Sequence, residues 1–115
     1  MNNIDKIYCI NLKHRPERKK LFTKRLKNTK VFPIENVKFI EAVDGNSLDS
    51  VPDPFNEGWP GNTKGAYGCL KSHVAAIKDA SKNQYTRVLI FEDDVTFHKN
   101  FTDMFKKVSI NIPAY

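Results

Sequence analysis

Three consecutive carboxylates, Glu92, Asp93 and Asp94, follow directly on Arg87 and the apolar run Val88-Leu89-Ile90-Phe91. Their mutual repulsion demands a compensating cation or an exposed position. Hard oxygen donors of this kind suit magnesium or manganese, with phosphates and water completing the coordination. In an extended segment Glu92 and Asp94 point the same way, and Asp93 points opposite, toward a backbone donor or a lysine. The chemistry this predicts is a divalent metal holding a phosphorylated substrate. The alternative is a polar loop tip that merely ends a strand.

Other groups could join them. Asn11 falls at the end of an apolar run, where its amide can read a base edge or pin a loop. Arg15 and Arg18 are three apart near a helix start and could face one anion together, because a guanidinium matches phosphate geometry; surface charge or a structural ion pair explains them equally well. Asp44 precedes Gly45 and could approach a ribose or the metal, or simply form a turn. Ser72 and His73 are not a triad, since neighbouring helical residues diverge and no nucleophile elbow precedes them. His73 reads as a core histidine or as a ligand or base.

These residues need elements to position them. Asp5 to Leu12, with Ile7-Tyr8-Cys9-Ile10, reads as a strand. Pro16 opens a helix at a position where its missing N–H costs little, and Glu17 suits the helix dipole. Leu21, Phe22 and Leu26 form its apolar stripe, and Lys19, Lys20, Lys24, Arg25 and Lys27 its wet face; the segment from Asn28 to Pro33 closes it. Residues 37–43 form a second strand, ended by Asp44-Gly45. Leu48 to Asn62 is a proline- and glycine-rich loop in which Phe55 and Trp59 need somewhere to pack. Thr63 caps a helix that runs to about Lys82, with Ala66, Cys69, Leu70, His73, Val74, Ile77 and Ala80 on one apolar face. The run into Glu92 shows no alternation and reads as a fully buried strand. Asn100 caps a last helix through Val108, with Phe101, Met104, Phe105 and Val108 turned inward. The order β-α-β-loop-α-β-α predicts an α/β fold, a mainly parallel sheet with helices on both faces, in one domain spanning residues 1–115. In such sheets ligands bind at the carboxyl ends of the strands, where the carboxylate triplet falls.

Length and composition bound these readings. A chain of 115 residues is one domain at most, and 40% hydrophobic with 28% charged residues describes a soluble globular protein. The net charge of +6 draws much from lysines in the first 30 residues. It reads as a solvated basic helix or a surface drawn to anions or nucleotides. Nucleic acid is not expected as a partner, because no zinc-finger, helix-turn-helix or RNP-like pattern is present. Cys9 and Cys69 lack CxxC spacing and read as small buried hydrophobes. No stretch approaches a transmembrane span, although peripheral membrane contact stays open, and residues 1–5 lack the regions of a signal peptide. A cytoplasmic location is the default.

Three segments in this order and spacing resemble glycosyltransferase family 25: Ile10-Asn11-Leu12-Lys13-His14-Arg15-Pro16-Glu17-Arg18, Gly65-Ala66-Tyr67-Gly68-Cys69-Leu70-Lys71-Ser72-His73, and Leu89-Ile90-Phe91-Glu92-Asp93-Asp94-Val95. That family includes bacterial lipooligosaccharide galactosyl- and glucosyltransferases of lipopolysaccharide biosynthesis and procollagen galactosyltransferases. The resemblance implies a GT-A nucleotide-sugar fold and an inverting transfer of galactose or glucose from a UDP-sugar to a saccharide, glycolipid or hydroxylated acceptor. It implies that Asn11, Leu12 and Arg15 border the nucleotide, and that Arg18 braces that loop or helps with phosphate. Ala42, Val43 and Asp44 would line the uridine-ribose side, and Gly68, Ser72 and His73 the floor of the donor site. Asp93 belongs with Glu92 and Asp94 to the metal and sugar-nucleotide motif; Asp94 is the expected ligand of Mn2+ or Mg2+, with Glu92 nearer ribose or metal. Family members are typically at least twice as long, so the chain is expected to be the donor-binding half of a truncated fold, and no residue stands out as the catalytic base. The alternatives are a non-catalytic nucleotide-sugar-binding protein and a structural module, including a homodimer that completes the sheet.

Overall fold

The structure, a computed structural model, describes residues 3–49 and 63–110. The expected loop with Phe55 and Trp59 therefore lies, from residue 50 onward, outside the described residues. Among the described residues three strands form one parallel sheet: β1 (Lys6–Asn11), β2 (Val37–Glu41) and β3 (Val88–Glu92), in the order β2-β1-β3. Three α-helices accompany them: α1 (Pro16–Thr29), α2 (Thr63–Lys82) and α3 (Phe101–Ile110). This is the expected α/β architecture.

Alternation along β1 sends its side chains to two cores. Ile7 and Cys9 face α1 and α3, packing with Phe22, Leu26 and Phe32, and Phe22 meets Phe39 of β2 and Phe91 of β3 at centroid distances of 6.0 and 5.9 Å. Tyr8 faces the other way, onto Ala76 and Ala80 of α2, flanked by Ile40 and Ile90. The crossovers place β2 and β3 on opposite sides of β1. The carboxyl ends of β1 and β3 therefore form a topological switch point.

Several expectations are corrected. The run into Glu92 is not a fully buried strand: β3 is an edge of the described sheet and its apolar residues are only half buried. Beyond Glu92 the chain is not extended, because the Val95 N–H bonds back to the Glu92 carbonyl in a turn. Leu21 on α1, and Met104 and Val108 on α3, are exposed and do not point inward. On α2 the sheet-facing row is Gly68, Ser72, Ala76 and Ala80, while Leu70, Val74 and Ile77 are exposed. Small residues spaced by four let the helix lie close to the sheet, so close approach rather than apolar bulk selects the face.

Two carboxylates tie the amino-terminal ends of the sheet together. Asp5 accepts bonds from the Thr86 and Arg87 N–H groups, and Asp79 accepts from Lys38 Nζ at 2.7 Å and Tyr8 Oη at 2.6 Å. The Arg87 and Thr86 amides hold the Asp5 carboxyl below its ordinary 3.8, and Lys38, then Tyr8, does the same for Asp79. Each folded value is depressed, so the stabilisation is complete above the unfolded value and is lost as pH falls through the folded one. Urea midpoints are thus expected to hold steady from neutral pH down to about pH 4 and to drop below it. Asp79→Asn is expected to shallow that drop; an acid profile unchanged by the substitution would refute the role given to Asp79.

Candidate functional site

At the switch point a cavity of about 270 Å3 opens between the carboxyl ends of β1, β2 and β3 and the first turns of α2. Its wall includes Leu12 and Arg18, the segment Ala42 to Asn46, Ser72, and the whole triplet Glu92, Asp93 and Asp94. Segments distant in sequence meet here because β1 ends at Asn11 beside the end of β3.

The triplet resolves its repulsion in two ways. Asp93 is buried and accepts a bond from Asn11 Nδ2 at 2.8 Å, with Arg18 Nη1 at 3.4 Å from its other oxygen. The expected backbone or lysine partner is replaced by an amide and a guanidinium. Glu92 and Asp94 are exposed to the cavity. Glu92 accepts a bond from the Cys69 thiol at 3.2 Å, whereas no described side chain pairs with Asp94.

Asn11 is nearly buried, and its amide spans Asp93 and the Arg15 carbonyl at 3.1 Å, so it braces the loop between β1 and α1. Arg15 and Arg18 do not face one anion: Arg15 pairs with Glu17 on the surface, and Arg18 turns to Asp93. Ser72 donates to the Gly68 carbonyl within α2 and accepts from the Val43 N–H, each at 2.8 Å, which fastens the loop after β2 to the helix. Asp44 caps the short turn Gly45–Ser47 by accepting the Asn46 N–H at 3.0 Å. Gly68 lies outside the wall, beneath the Val43 carbonyl, and His73 sits one helical turn beyond Cys69.

Sequence reasoning missed Ile10, Gly45, Asn46 and Cys69 as cavity residues. Cys69 in particular is exposed and not a buried hydrophobe; its spacing of four from His73 was the available signal. Cys9 does fill the core, where burial and then the Asp93 charge push its thiol up to about 12.

Among the described residues the wall carries four carboxylates, Asp44, Glu92, Asp93 and Asp94, against a single guanidinium, Arg18. The lysines that make the chain basic do not line it. So acidic a cavity attracts cations and rejects a bare anion.

The profile of glycosyltransferase family 25 (LPS biosynthesis protein) matches residues 4–115. The chain belongs to glycosyltransferase family 25. It is 35% identical to a putative glycosyltransferase of Acanthamoeba polyphaga mimivirus, over 94% of this chain and 34% of that protein. It is 31% identical to procollagen galactosyltransferase 2 of Homo sapiens, over 94% of this chain and 18% of that protein. Inactive glycosyltransferase 25 family member 3 of Homo sapiens matches at 27% identity over 96% of this chain and 20% of that protein. The chain thus spans about a third or less of these relatives. The family 25 segments around Asn11, Ser72 and Glu92 are the ones that converge on the cavity. Among the described residues no helix is long and apolar enough to cross a membrane.

Proposed function

We propose that this chain supplies the donor site of a metal-dependent hexosyltransferase that uses a UDP-sugar, galactose or glucose being the transferred hexose and a saccharide, glycolipid or hydroxylated side chain the acceptor. The observation that carries the reading is the cavity itself, where, among the described residues, one guanidinium is outnumbered by four carboxylates at the switch point of a parallel sheet. A diphosphate enters such a place only with a cation. Asp94, exposed and unengaged by any described side chain, and Glu92 beside it are oxygen donors of the kind that fit Mn2+ or Mg2+.

Asp94 and Glu92 would hold the ion, and a bound divalent ion supplies neutralisation of the charge that builds on the departing diphosphate. Ala42, Val43 and Asp44 would flank the ribose and base, on a loop whose position Ser72 fixes. Leu12 and Arg18 close the opposite wall, and Asn11 with Asp93 keeps that wall in register with the metal-binding carboxylates. Transfer also needs a base to take the acceptor hydroxyl's proton as the oxygen attacks the anomeric carbon from the face opposite the diphosphate.

A second reading, a nucleotide-sugar-binding protein without turnover, is favoured by the likeness to a family member named inactive. Incubation with UDP-galactose or UDP-glucose, Mn2+ and a panel of saccharide and hydroxylysine acceptors separates the two. Glycosylated product with stoichiometric UDP release is the expected result. UDP-sugar binding without product selects the second reading, and absence of both binding and product rejects the donor site.

A further inference from the structure

Beside the oxygen-rich wall lies a side-chain group of different chemistry. Cys69 and His73 are four apart on α2 and share a helix face, and Glu92 reaches them from the end of β3. One ligand atom from each of the three, thiol sulfur, imidazole nitrogen and carboxylate oxygen, lies within 4.8 Å of both others. The Cys69 Sγ and Glu92 Oε1 atoms are already 3.2 Å apart. Tetrahedral zinc, with bonds of about 2.0–2.3 Å, needs its donors roughly 3.5 Å apart, so small side-chain rotations suffice to close the set. The group is anchored on two rigid elements, and Cys69 is open to solvent, so an ion can enter.

We propose that Cys69, His73 and Glu92 form a binding site for a thiophilic divalent cation, Zn2+ in the first instance, with a fourth position left to water. Donor softness separates this site from the Asp94 side of the cavity: a thiolate and an imidazole select zinc or cobalt, whereas carboxylates alone suit magnesium or manganese. Binding requires the thiolate, so the Cys69 proton leaves to buffer as the sulfur–metal bond forms. Glu92 belongs to both sites, and an ion held by Cys69 and His73 competes for it with an ion held by Asp94.

The test is a titration of this chain with Co2+ and Zn2+ in the absence of nucleotide, so its outcome does not depend on the donor reading. Cobalt bound through sulfur gives a thiolate-to-metal absorption band in the near ultraviolet. Only two cysteines are present, and Cys9 is fully buried in the core, so the band reports on Cys69. The expected result is a saturable band at one equivalent, displaced by Zn2+, and absent in Cys69→Ser. His73→Gln is expected to keep the band but to weaken binding by at least about tenfold. A titration without a sulfur band, a band that survives Cys69→Ser, or unchanged affinity in His73→Gln overturns the proposal.

Discussion

Gly45→Ala is expected to lower the stability of the chain by about 3 kcal/mol, and with it the affinity for UDP. A Cβ at this position would lie 2.5 Å from the Lys64 carbonyl oxygen and 2.7 Å from the Gly65 nitrogen. Those are backbone atoms in the first turn of α2, which no side-chain rotation can clear. The same contact is tight from the other side, where a Cβ on Gly68 would meet the Val43 carbonyl at 2.7 Å. The loop after β2 and the start of α2 are therefore held together by two missing side chains and by the Ser72 bond to the Val43 N–H. Since Ala42 to Asn46 forms one wall of the cavity, forcing the helix away also moves Asp44. A urea melt and a UDP titration of the variant measure both effects; wild-type values in the two would show that the approach is not tight.

Asp93→Ala is the second large effect, with an expected cost of about 2 kcal/mol. The substitution removes the acceptor of a bond from Asn11, leaving that nearly buried amide with the Arg15 carbonyl alone. The Arg18 contact adds less, because it is 3.4 Å long and the Arg18 side chain is 41% exposed. Asp93→Asn retains an oxygen that can accept from Asn11, so it is expected to cost clearly less than the alanine. Equal midpoints for the two variants would mean that the Asn11 bond contributes little. Asp94→Ala, by contrast, touches an exposed side chain and is expected to leave the urea midpoint within about 0.5 kcal/mol of wild type.

The comparison of pattern with structure divides along physical lines. Strand and helix order was legible because short apolar runs such as Ile7 to Ile10 and helix-starting signals such as Pro16 are local. The sheet-facing side of α2 was not, since periodicity weighs the largest apolar residues whereas a close-packed helix presents its smallest. The burial of β3 was misread for a related reason: an unbroken apolar run describes an edge strand packed on both faces as well as a central one. In the site, the triplet was visible from its charge alone. Its internal division, Asp93 inward and Glu92 and Asp94 outward, depends on an amide 82 residues away and could not be read locally. The convergence of the segments around Asn11, Val43, Ser72 and Glu92 on one cavity became readable only through their resemblance to family 25, because parallel topology brings together the ends of distant strands.

Titration calorimetry of UDP into the chain, with and without Mn2+ and for wild type and Asp94→Ala, tests the donor site most directly. The account predicts saturable binding that requires Mn2+ and falls at least about tenfold in Asp94→Ala, the loss expected when a direct metal ligand is removed. UDP binding that is indifferent to Mn2+, or equal in the two proteins, would contradict it.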